Sequence, residues 1–268
     1  MNTIGLDSHS DEIAKIRVAI LMCGSDIPIP ASLGESDFGR YSSPIRVTLK
    51  PDNFVGSYND LIWGCSAEGL NQHQLHKISN SDCICIFYDS SDESIDIAIH
   101  LLTQFQTISP YTQTFHSDMV PIRNEARKRI DRLSNMAISA DCMEASSIQH
   151  RAFWSLAIEP SLIAVDWKDL RTIFEKKGSA HYYKIDFPLA SEVAIRKVLK
   201  NEKGLRCDGV MIVSLRFPET LSLNMYSTIS GFVGAYADPK AEIVIGTGGV
   251  SENASIHFYW KQSDGSRT

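Results

Sequence analysis

Two continuous apolar runs constrain the fold of this chain more than any other feature of its sequence. They are IRVAILM at residues 16–22 and DCICIFY at residues 82–88, and both contain β-branched side chains. A strand in a parallel sheet is buried on both faces, so it takes the form of such a run and lacks an apolar–polar alternation. The second run is followed by the polar stretch DSSDES and then by IDIAIHLLTQF at 95–105, which has the composition of a buried helix. We therefore predict strand–loop–helix units of a parallel sheet, with the loops at the carboxyl edge where open α/β proteins bind ligands.

Composition and charge limit the partners and the compartment of the protein. The chain has 268 residues and a formal net charge of −6, without a block of basic residues, which argues against a nucleic-acid partner. No apolar run approaches the ~20 residues that a membrane-spanning helix needs. Residues 1–15 are polar and acidic and lack the apolar core of a signal peptide. We therefore expect a cytoplasmic protein without a membrane span.

The six cysteines are irregularly spaced, which is not typical of a disulfide framework in a chain of this length. Cys83 and Cys85 alternate with isoleucines inside a predicted strand, so we expect them to act as small buried apolar side chains. A metal site would have to combine them with Cys65, His73 and His76, and this set lacks the tightly paired ligands of recognisable zinc sites. We therefore predict no bound metal.

The remaining patterns divide the chain into two halves that differ in the order of their predicted strands and helices. The first half has a predicted strand at 44–51, a short helix at 66–80, a charged helix from Pro121, a strand at 136–139 and a helix around AFWSLA. The second half has predicted helices at 188–201 and 222–237 and strands at 209–217, 241–250 and 254–260. The predicted divisions are a flexible N-terminus at 1–15, a parallel-sheet subdomain at 16–145, a connecting helix and loop at 146–180, a mixed-sheet α+β subdomain at 181–263 and a tail at 264–268.

One loop, inside SLIAVDWKDLRTIFEKKG at residues 161–178, presents two carboxylates three residues apart, from Asp166 and Asp169. An aspartate directly before a helix most often caps it, worth ~1 kcal/mol, and an acid in the first turn complements the helix dipole. A pair of carboxylates can alternatively position a water molecule for general-base chemistry. Trp167 between them could anchor a partner, although the tendency of tryptophan to be buried favours packing at the junction of the two halves. The local sequence leaves these alternatives open.

The same stretch resembles the loop and helix that begin the second half of FtsZ, the bacterial tubulin homologue, where the pattern is close to LINVDFADVRTVM. The likeness continues through the strand GSAHYY, the helix at 189–200 and the strand GVMIVSL. It ends in YADPKAEIVIGTGGV, which is similar to an FtsZ segment where ADP, a short spacer and VVIGT precede the final strands. The match covers about residues 157–263 in one register. The resemblance implies a tubulin/FtsZ-like α/β fold, with a Rossmann-like N-terminal subdomain, and a cytoskeletal role of the kind that serves cell division.

The phosphate-binding loops of that superfamily are degenerate in this chain. Its members carry a glycine-rich turn after the first strand, reduced here to CGS at 23–25, and a second signature, GGGTGTG, which falls on residues 88–94 without a single glycine. Glycines let backbone amides approach phosphate oxygens, and the three carboxylates of this stretch add repulsion. The positions of the two phosphate loops are held by Gly24, Ser25, Ser90 and Ser91. We predict that ordinary GTP binding is lost and that no cofactor is bound; DSSDES could alternatively hold a divalent cation, although it does not fit an EF-hand loop.

In the same superfamily the loop of Asp166 and Asp169 is the synergy loop, which inserts into the nucleotide site of the next subunit and positions the attacking water and a cation. The resemblance therefore implies that these two catalytic candidates act on a neighbouring subunit, with Trp167 and Lys168 in contact with it. The family's asparagine is replaced here by Ala164. The chain would retain the loop that acts on the nucleotide site of a neighbouring subunit. It would have lost most of the residues that bind nucleotide in its own site.

The hypothesis that follows is a pseudo-GTPase that acts through protein–protein interaction, either in an assembly of its own or as a regulator of an FtsZ-type filament. Its partner would be a second copy of the chain or an FtsZ-type protein. The alternative is a divergent GTPase, with GTP and Mg²⁺ as cofactors, completed at a subunit interface by Asp166 and Asp169. A third possibility is that only the fold survives and the chain binds something unrelated, because fold alone does not fix function.

Overall fold

The structure is a computed structural model of the chain. It describes residues 16–23, 45–47, 78, 80–106, 111–159, 163, 165–187, 192–201, 207–218, 222–248, 251 and 253–262. Several predictions from the sequence lie outside these residues: the terminal segments 1–15 and 264–268, most of the helix at 66–80, the phosphate-loop positions Gly24 and Ser25, the metal candidates Cys65, His73 and His76, and Ala164.

Five parallel strands form the first sheet, in the order β2-β1-β3-β4-β5. The strands are β1 (Val18–Cys23), β2 (Ile45–Val47), β3 (Cys83–Tyr88), β4 (Tyr111–Ser117) and β5 (Met136–Ala140). Every residue of β1 and β3 is buried, as the two continuous apolar runs predict. Cys83 and Cys85 are among these buried residues, which confirms their expected role as apolar core side chains.

Helices cover both faces of this sheet. They are α1 (Asp92–Phe105), α2 (Asn124–Leu133) and α3 (Met143–Ile158). Leu21 and Ile86 face α1 and α2, whereas Ile20 and Phe87 face α3. Because alternate residues of each strand meet a different helical layer, both faces are apolar, which is the physical reason for the continuous runs. Helix α1 begins three residues before its predicted start at Ile95.

Strand β4 has no counterpart among the sequence predictions. Its sequence, YTQTFHS, consists mostly of polar residues, yet six of its seven residues are buried. The buried polar groups find partners inside the protein: the Trp154 indole N–H donates to Gln113 Oε1 at 2.9 Å, and Thr114 Oγ1 donates to Ser134 Oγ at 3.2 Å. A strand whose polar side chains are satisfied internally carries no apolar pattern that identifies it.

A short connecting segment leads to the second sheet. It consists of helix α4 (Trp167–Leu170) and one 3-10 turn at Arg171–Phe174, and it ends at Gly178 with a φ of 138°. The helix that the FtsZ resemblance implies for this stretch is thus divided into two short pieces.

The second sheet is mixed, with the order β6-β9-β7-β8. Its strands are β6 (His181–Phe187), β7 (Val210–Arg216), β8 (Glu242–Thr247) and β9 (Ala254–Lys261), and its helices are α5 (Glu192–Asn201) and α6 (Leu223–Tyr236). Strand β9 is antiparallel to β6 and β7, and β7 is parallel to β8. This arrangement confirms the predicted fold class of a parallel-sheet half and a mixed-sheet α+β half.

Helix α3 lies between the two sheets and joins them through one apolar layer. Phe153 meets Tyr259 of β9 edge to face, with ring centroids 5.2 Å apart, and it meets Phe174 of the connecting segment at 5.6 Å. Trp154 and Phe153 are fully buried. The shared core fixes the connecting segment against both halves of the molecule. No helix among the described residues is long and apolar enough to cross a membrane.

Candidate functional site

The loop after β3 satisfies its own backbone with its own side chains. Ser91 precedes α1, and its hydroxyl accepts a hydrogen bond from the Ser94 N–H at 3.3 Å, which is the geometry of a helix N-cap. Asp89 Oδ1 in turn accepts from the Ser91 N–H at 2.9 Å and from the Ser91 hydroxyl at 2.6 Å. A carboxylate and a hydroxyl therefore occupy donors at the start of α1, where an anion could otherwise bind.

Two further contacts tie this loop to the neighbouring strands. The buried Ser94 hydroxyl donates to the Cys23 carbonyl oxygen at 2.8 Å and accepts from the Asp89 N–H at 3.0 Å. The Ser90 hydroxyl donates to Asp118, the residue that follows β4. The pKa of the Asp118 carboxyl lies below its ordinary value, chiefly because of this hydroxyl and also because the Val120 N–H donates to it. The loop is held on both sides of β3.

The sequence candidates Ser90 and Ser91 thus lie at the carboxyl edge of the first sheet, and both are engaged in hydrogen bonds within the protein. A phosphate group at this edge would have to displace the carboxylate of Asp89 from the Ser91 N–H. It would also meet repulsion from Asp89 and Asp118. Sequence analysis missed Asp118 because the strand that ends just before it, β4, was itself missed.

A cavity of about 420 Å³ opens beside this loop at the same edge. His116, Arg127 and Asp141 line it. The Arg127 guanidinium donates hydrogen bonds to Ser139 Oγ at 2.6 Å and to Ser179 Oγ at 3.0 Å. Burial, followed by the charge of Arg127, lowers the pKa of His116, so its ring is neutral at pH 7. The cavity has the size of a small-molecule site. Arg127 is its basic side chain, but Asp131 lies 3.1 Å from its guanidinium, and Asp118 and Asp141 add two carboxylates to the lining.

The two aspartates of the connecting segment have different surroundings. Asp166 caps α4: its Oδ1 accepts from the Asp169 N–H at 2.9 Å, which confirms the capping interpretation for this residue. Asp169 lies in the first turn and is exposed, and no hydrogen bond or ion pair from the described residues reaches its carboxylate. Asp169 is therefore the carboxylate of this loop that is not used as a helix cap.

Tight packing beneath the loop holds it in place. Thr247, at the end of β8, donates its N–H to the Ile163 carbonyl at 3.1 Å, and its Oγ1 accepts from the Ile163 N–H at 2.9 Å. A Cβ on the neighbouring Gly246 would overlap Val165 Cγ2 and lie 3.1 Å from the Ile163 carbonyl oxygen. Gly246 and Thr247 thus support the backbone at Ile163 and Val165, just before the two aspartates.

Trp167 packs into the protein, as its residue type favours. Its ring lies 5.5 Å from Trp154, 5.6 Å from Tyr111 and 5.8 Å from Phe174, between centroids, and the residue is half-buried. Lys168 is exposed. The exposed residues of the loop are therefore Asp166, Lys168 and Asp169, with the half-buried Trp167 among them.

The two groups of candidates lie at opposite edges of the first sheet. Trp167 packs against Tyr111, the first residue of β4, whereas Ser90 bonds to Asp118, which directly follows the last residue of β4. A strand rises about 3.3 Å per residue, so the seven residues of β4 separate the two edges by roughly 20 Å. One chain cannot bring Asp169 to Ser91. The two groups can meet only if the carboxyl edge of one molecule faces the amino edge of another.

Solved structures with this arrangement of elements identify the fold. The chain is similar to an empty FtsZ dimer from M. jannaschii, with a TM-score of 0.63, 13% sequence identity, and coverage of 92% of this chain and 88% of that chain. It is similar to the GTPγS-bound protofilament of CetZ2 from Haloferax volcanii (TM-score 0.56, 10% identity, 94% and 95% coverage). It is also similar to the GTPγS-form protofilament of TubZ from Bacillus thuringiensis serovar israelensis (TM-score 0.52, 11% identity, 91% and 86% coverage). The fold is therefore FtsZ/tubulin-like, as the sequence resemblance implies.

No protein-family model matches the chain, and no curated protein matches it.

Proposed function

We propose that this chain, which has the fold of FtsZ and tubulin, is an assembly protein that has lost ordinary GTP binding and forms head-to-tail contacts without nucleotide. The observation that carries the proposal is the loop after β3, where Asp89 and Ser91 take up the backbone donors at the start of α1. Its neighbours in fold include chains solved as protofilaments, which supports self-assembly as the mode of action.

The position of Asp169 supports the same proposal. It is exposed at the amino edge of the first sheet, roughly 20 Å from the loop after β3. In a head-to-tail assembly the loop with Lys168 and Asp169 of one copy faces the carboxyl edge of the next. Arg123, on that edge, is bound at 2.7 Å to Asp92 and remains exposed, so it offers a cation for the incoming carboxylate.

The test measures assembly and nucleotide binding separately. Sedimentation velocity of the purified protein is expected to show oligomers whose size does not change with GTP, GDP or Mg²⁺. Calorimetry with about 100 μM protein is expected to show no GTP or GDP binding, corresponding to a free energy of binding weaker than about −5.5 kcal/mol. Monomers in every condition would overturn the assembly proposal, and micromolar GTP binding would overturn the loss of nucleotide.

The cavity at the carboxyl edge favours a second candidate, a divergent GTPase completed by Asp166 and Asp169 of a neighbour. Its volume of about 420 Å³ suits a small-molecule ligand, and a Mg²⁺ ion bound with GTP would offset the carboxylates of Asp118 and Asp141 in its lining. This candidate predicts micromolar binding of GTP with Mg²⁺ and hydrolysis that depends on protein concentration, because two subunits make the site. A regulator of an FtsZ-type filament would instead remain monomeric alone and co-sediment with such a filament.

A further inference from the structure

The interface between α3 and the second sheet differs at its two ends. One end is apolar, where Phe153 of α3 packs on Tyr259 of β9. At the other end the same face of the sheet carries Lys184, Arg216 and His257, and the helix and sheet separate to leave a cavity of about 400 Å³. This volume is in the range of small-molecule sites and far exceeds the space of one bound water.

Positive charge predominates around this cavity. Arg151 of α3, Lys184 of β6 and Arg216 of β7 line it. Glu159 lies 3.5 Å from the Arg151 guanidinium and 3.7 Å from that of Arg216, and Asp186 lies 2.7 Å from Lys184. Among the described residues at or beside the cavity, three cations thus stand against two carboxylates. Glu159 is too far from either guanidinium for a short hydrogen bond. It offsets part of the positive charge of the two arginines but does not occupy the cavity.

Strand register makes these side chains converge. Lys184 is the cross-strand partner of His257, and Arg216 is the partner of Ser255, so all four side chains project from one face of the sheet. Arg216 is only 7% exposed and forms the floor. The side chains of Lys184 and Arg151 are 34% and 40% exposed and form the mouth, which leaves a route for a ligand.

We propose that this cavity binds a small phosphate-type oxyanion, either free phosphate or the phosphate group of a small metabolite, through Arg151, Lys184 and Arg216. Arginine and lysine from three different elements approach such an anion from different directions, and the hydroxyl of Ser255 adds a donor beside them. Burying a guanidinium is costly, and an anion in the cavity would place a further negative charge beside Arg216. The site is independent of the proposed assembly and of the loop after β3.

His257 provides an internal probe of the site. Its ring nitrogens bond to Tyr182 Oη at 2.9 Å and to Ser255 Oγ at 3.0 Å. Burial, followed by the charges of Arg216 and Lys184, lowers its pKa to about 3. Because a bound anion offsets those two charges, the pKa of His257 rises when the site fills.

The experiment is a titration with sodium phosphate and, in parallel, glycerol 3-phosphate, against sodium chloride at matched ionic strength. The signals of the His257 ring are followed by NMR with isotope-labelled histidine and assigned with His257→Gln. We expect saturable shifts with phosphate and an increased pKa of His257, and no saturable change with chloride. Saturation by both compounds identifies a phosphate-group site, and saturation by glycerol 3-phosphate alone identifies a metabolite site.

Variants at the mouth connect the signal to the proposed residues. Lys184→Gln and Arg151→Gln are each expected to weaken binding about tenfold, because each removes one charged contact. Lys197 is an exposed lysine on α5. Lys197→Gln removes one positive charge away from the cavity and should leave the Kd for phosphate unchanged. No saturable shift up to about 100 mM phosphate, with a Kd weaker than about 0.1 M, would overturn the proposal. So would equal affinity in all three variants, since the ion pairs would then be structural only.

Discussion

The loop after β3 and the loop of Asp166 and Asp169 both place carboxylates before a helix, but they use them in opposite ways. In the first, Asp89 turns inward and accepts from Ser91, so the acid consumes donors of its own loop. In the second, Asp166 caps α4 and Asp169 remains exposed. In the first loop, side chains occupy backbone donors of the loop itself; the second loop rests on the backbone of β8 and leaves Asp169 exposed.

This difference shows that residue type at a helix start does not decide its role. A single aspartate or serine suffices to satisfy the free N–H groups of a helix, and any further carboxylate is available for other contacts. In the loop after β3, Asp89 and Ser91 both accept from donors of the loop itself, whereas the connecting segment needs only Asp166 for its cap. Four predictions test this comparison, from the largest expected effect to the smallest.

Removing the support beneath the exposed loop is expected to have the largest effect. In Gly246→Ala the new methyl group overlaps Val165 and approaches the Ile163 carbonyl, so the free energy of unfolding should fall by ~2–3 kcal/mol. Chemical denaturation measures it. Gly234→Ala is the matched control, because its Cβ meets nothing within 4 Å on an exposed face of α6 and should raise stability by ~0.5–1 kcal/mol. Equal effects of the two substitutions would mean that β8 does not hold residues 163–165.

Truncating the exposed carboxylate is expected to affect assembly without affecting stability. Asp169→Ala should weaken self-association about tenfold, equivalent to ~1.4 kcal/mol, while thermal unfolding stays unchanged. Sedimentation equilibrium gives the association constant. Glu242→Ala removes an exposed carboxylate from β8 and serves as the control. If the two variants associate equally well, Asp169 does not contribute to the contact between copies.

The two helix caps should be equivalent in stability and different in assembly. Ser91→Ala and Asp166→Ala each remove one cap and should each cost ~1 kcal/mol of unfolding free energy. Only Asp166→Ala is expected to weaken self-association as well, because it loosens the first turn that carries Asp169. A loss of assembly in Ser91→Ala with normal assembly in Asp166→Ala would reverse the roles assigned to the two loops.

The smallest expected effect is on the stability of the protein at acid pH, through Asp118 beside the loop after β3. Because the pKa of Asp118 is lowered in the folded protein, its ionised form stabilises the fold above its ordinary pKa of 3.8. That contribution is lost as the pH falls below 3.8 and through the folded pKa. It should be under about 0.5 kcal/mol, because the carboxyl is well exposed and solvent screens it. Comparing acid unfolding of the wild type with Asp118→Asn measures it; an identical pH dependence would show that the Ser90–Asp118 bond is not maintained in solution.

Some of the fold could be predicted from the sequence because the responsible forces are local or periodic. The runs that become β1 and β3 are apolar without interruption, which only burial on both faces allows. The mixed second sheet follows from the order of its strands and helices. The acidic, glycine-free composition of the loop after β3 was likewise evident from the sequence alone.

Long-range contacts decided the rest. Strand β4 carries no apolar period, and its polar residues are stable in the core only because Trp154 and Ser134 supply partners from other elements. Gly246 lies in the segment that resembles FtsZ, but the sequence does not show why it is a glycine: a side chain there would overlap Val165, 81 residues earlier in the chain. The sequence by itself determined which residues are acidic and which strands are buried. Only the tertiary structure decided which carboxylates turn inward and at which sheet edge each lies, because hydrogen-bond partners and edges are set by residues far apart in the chain.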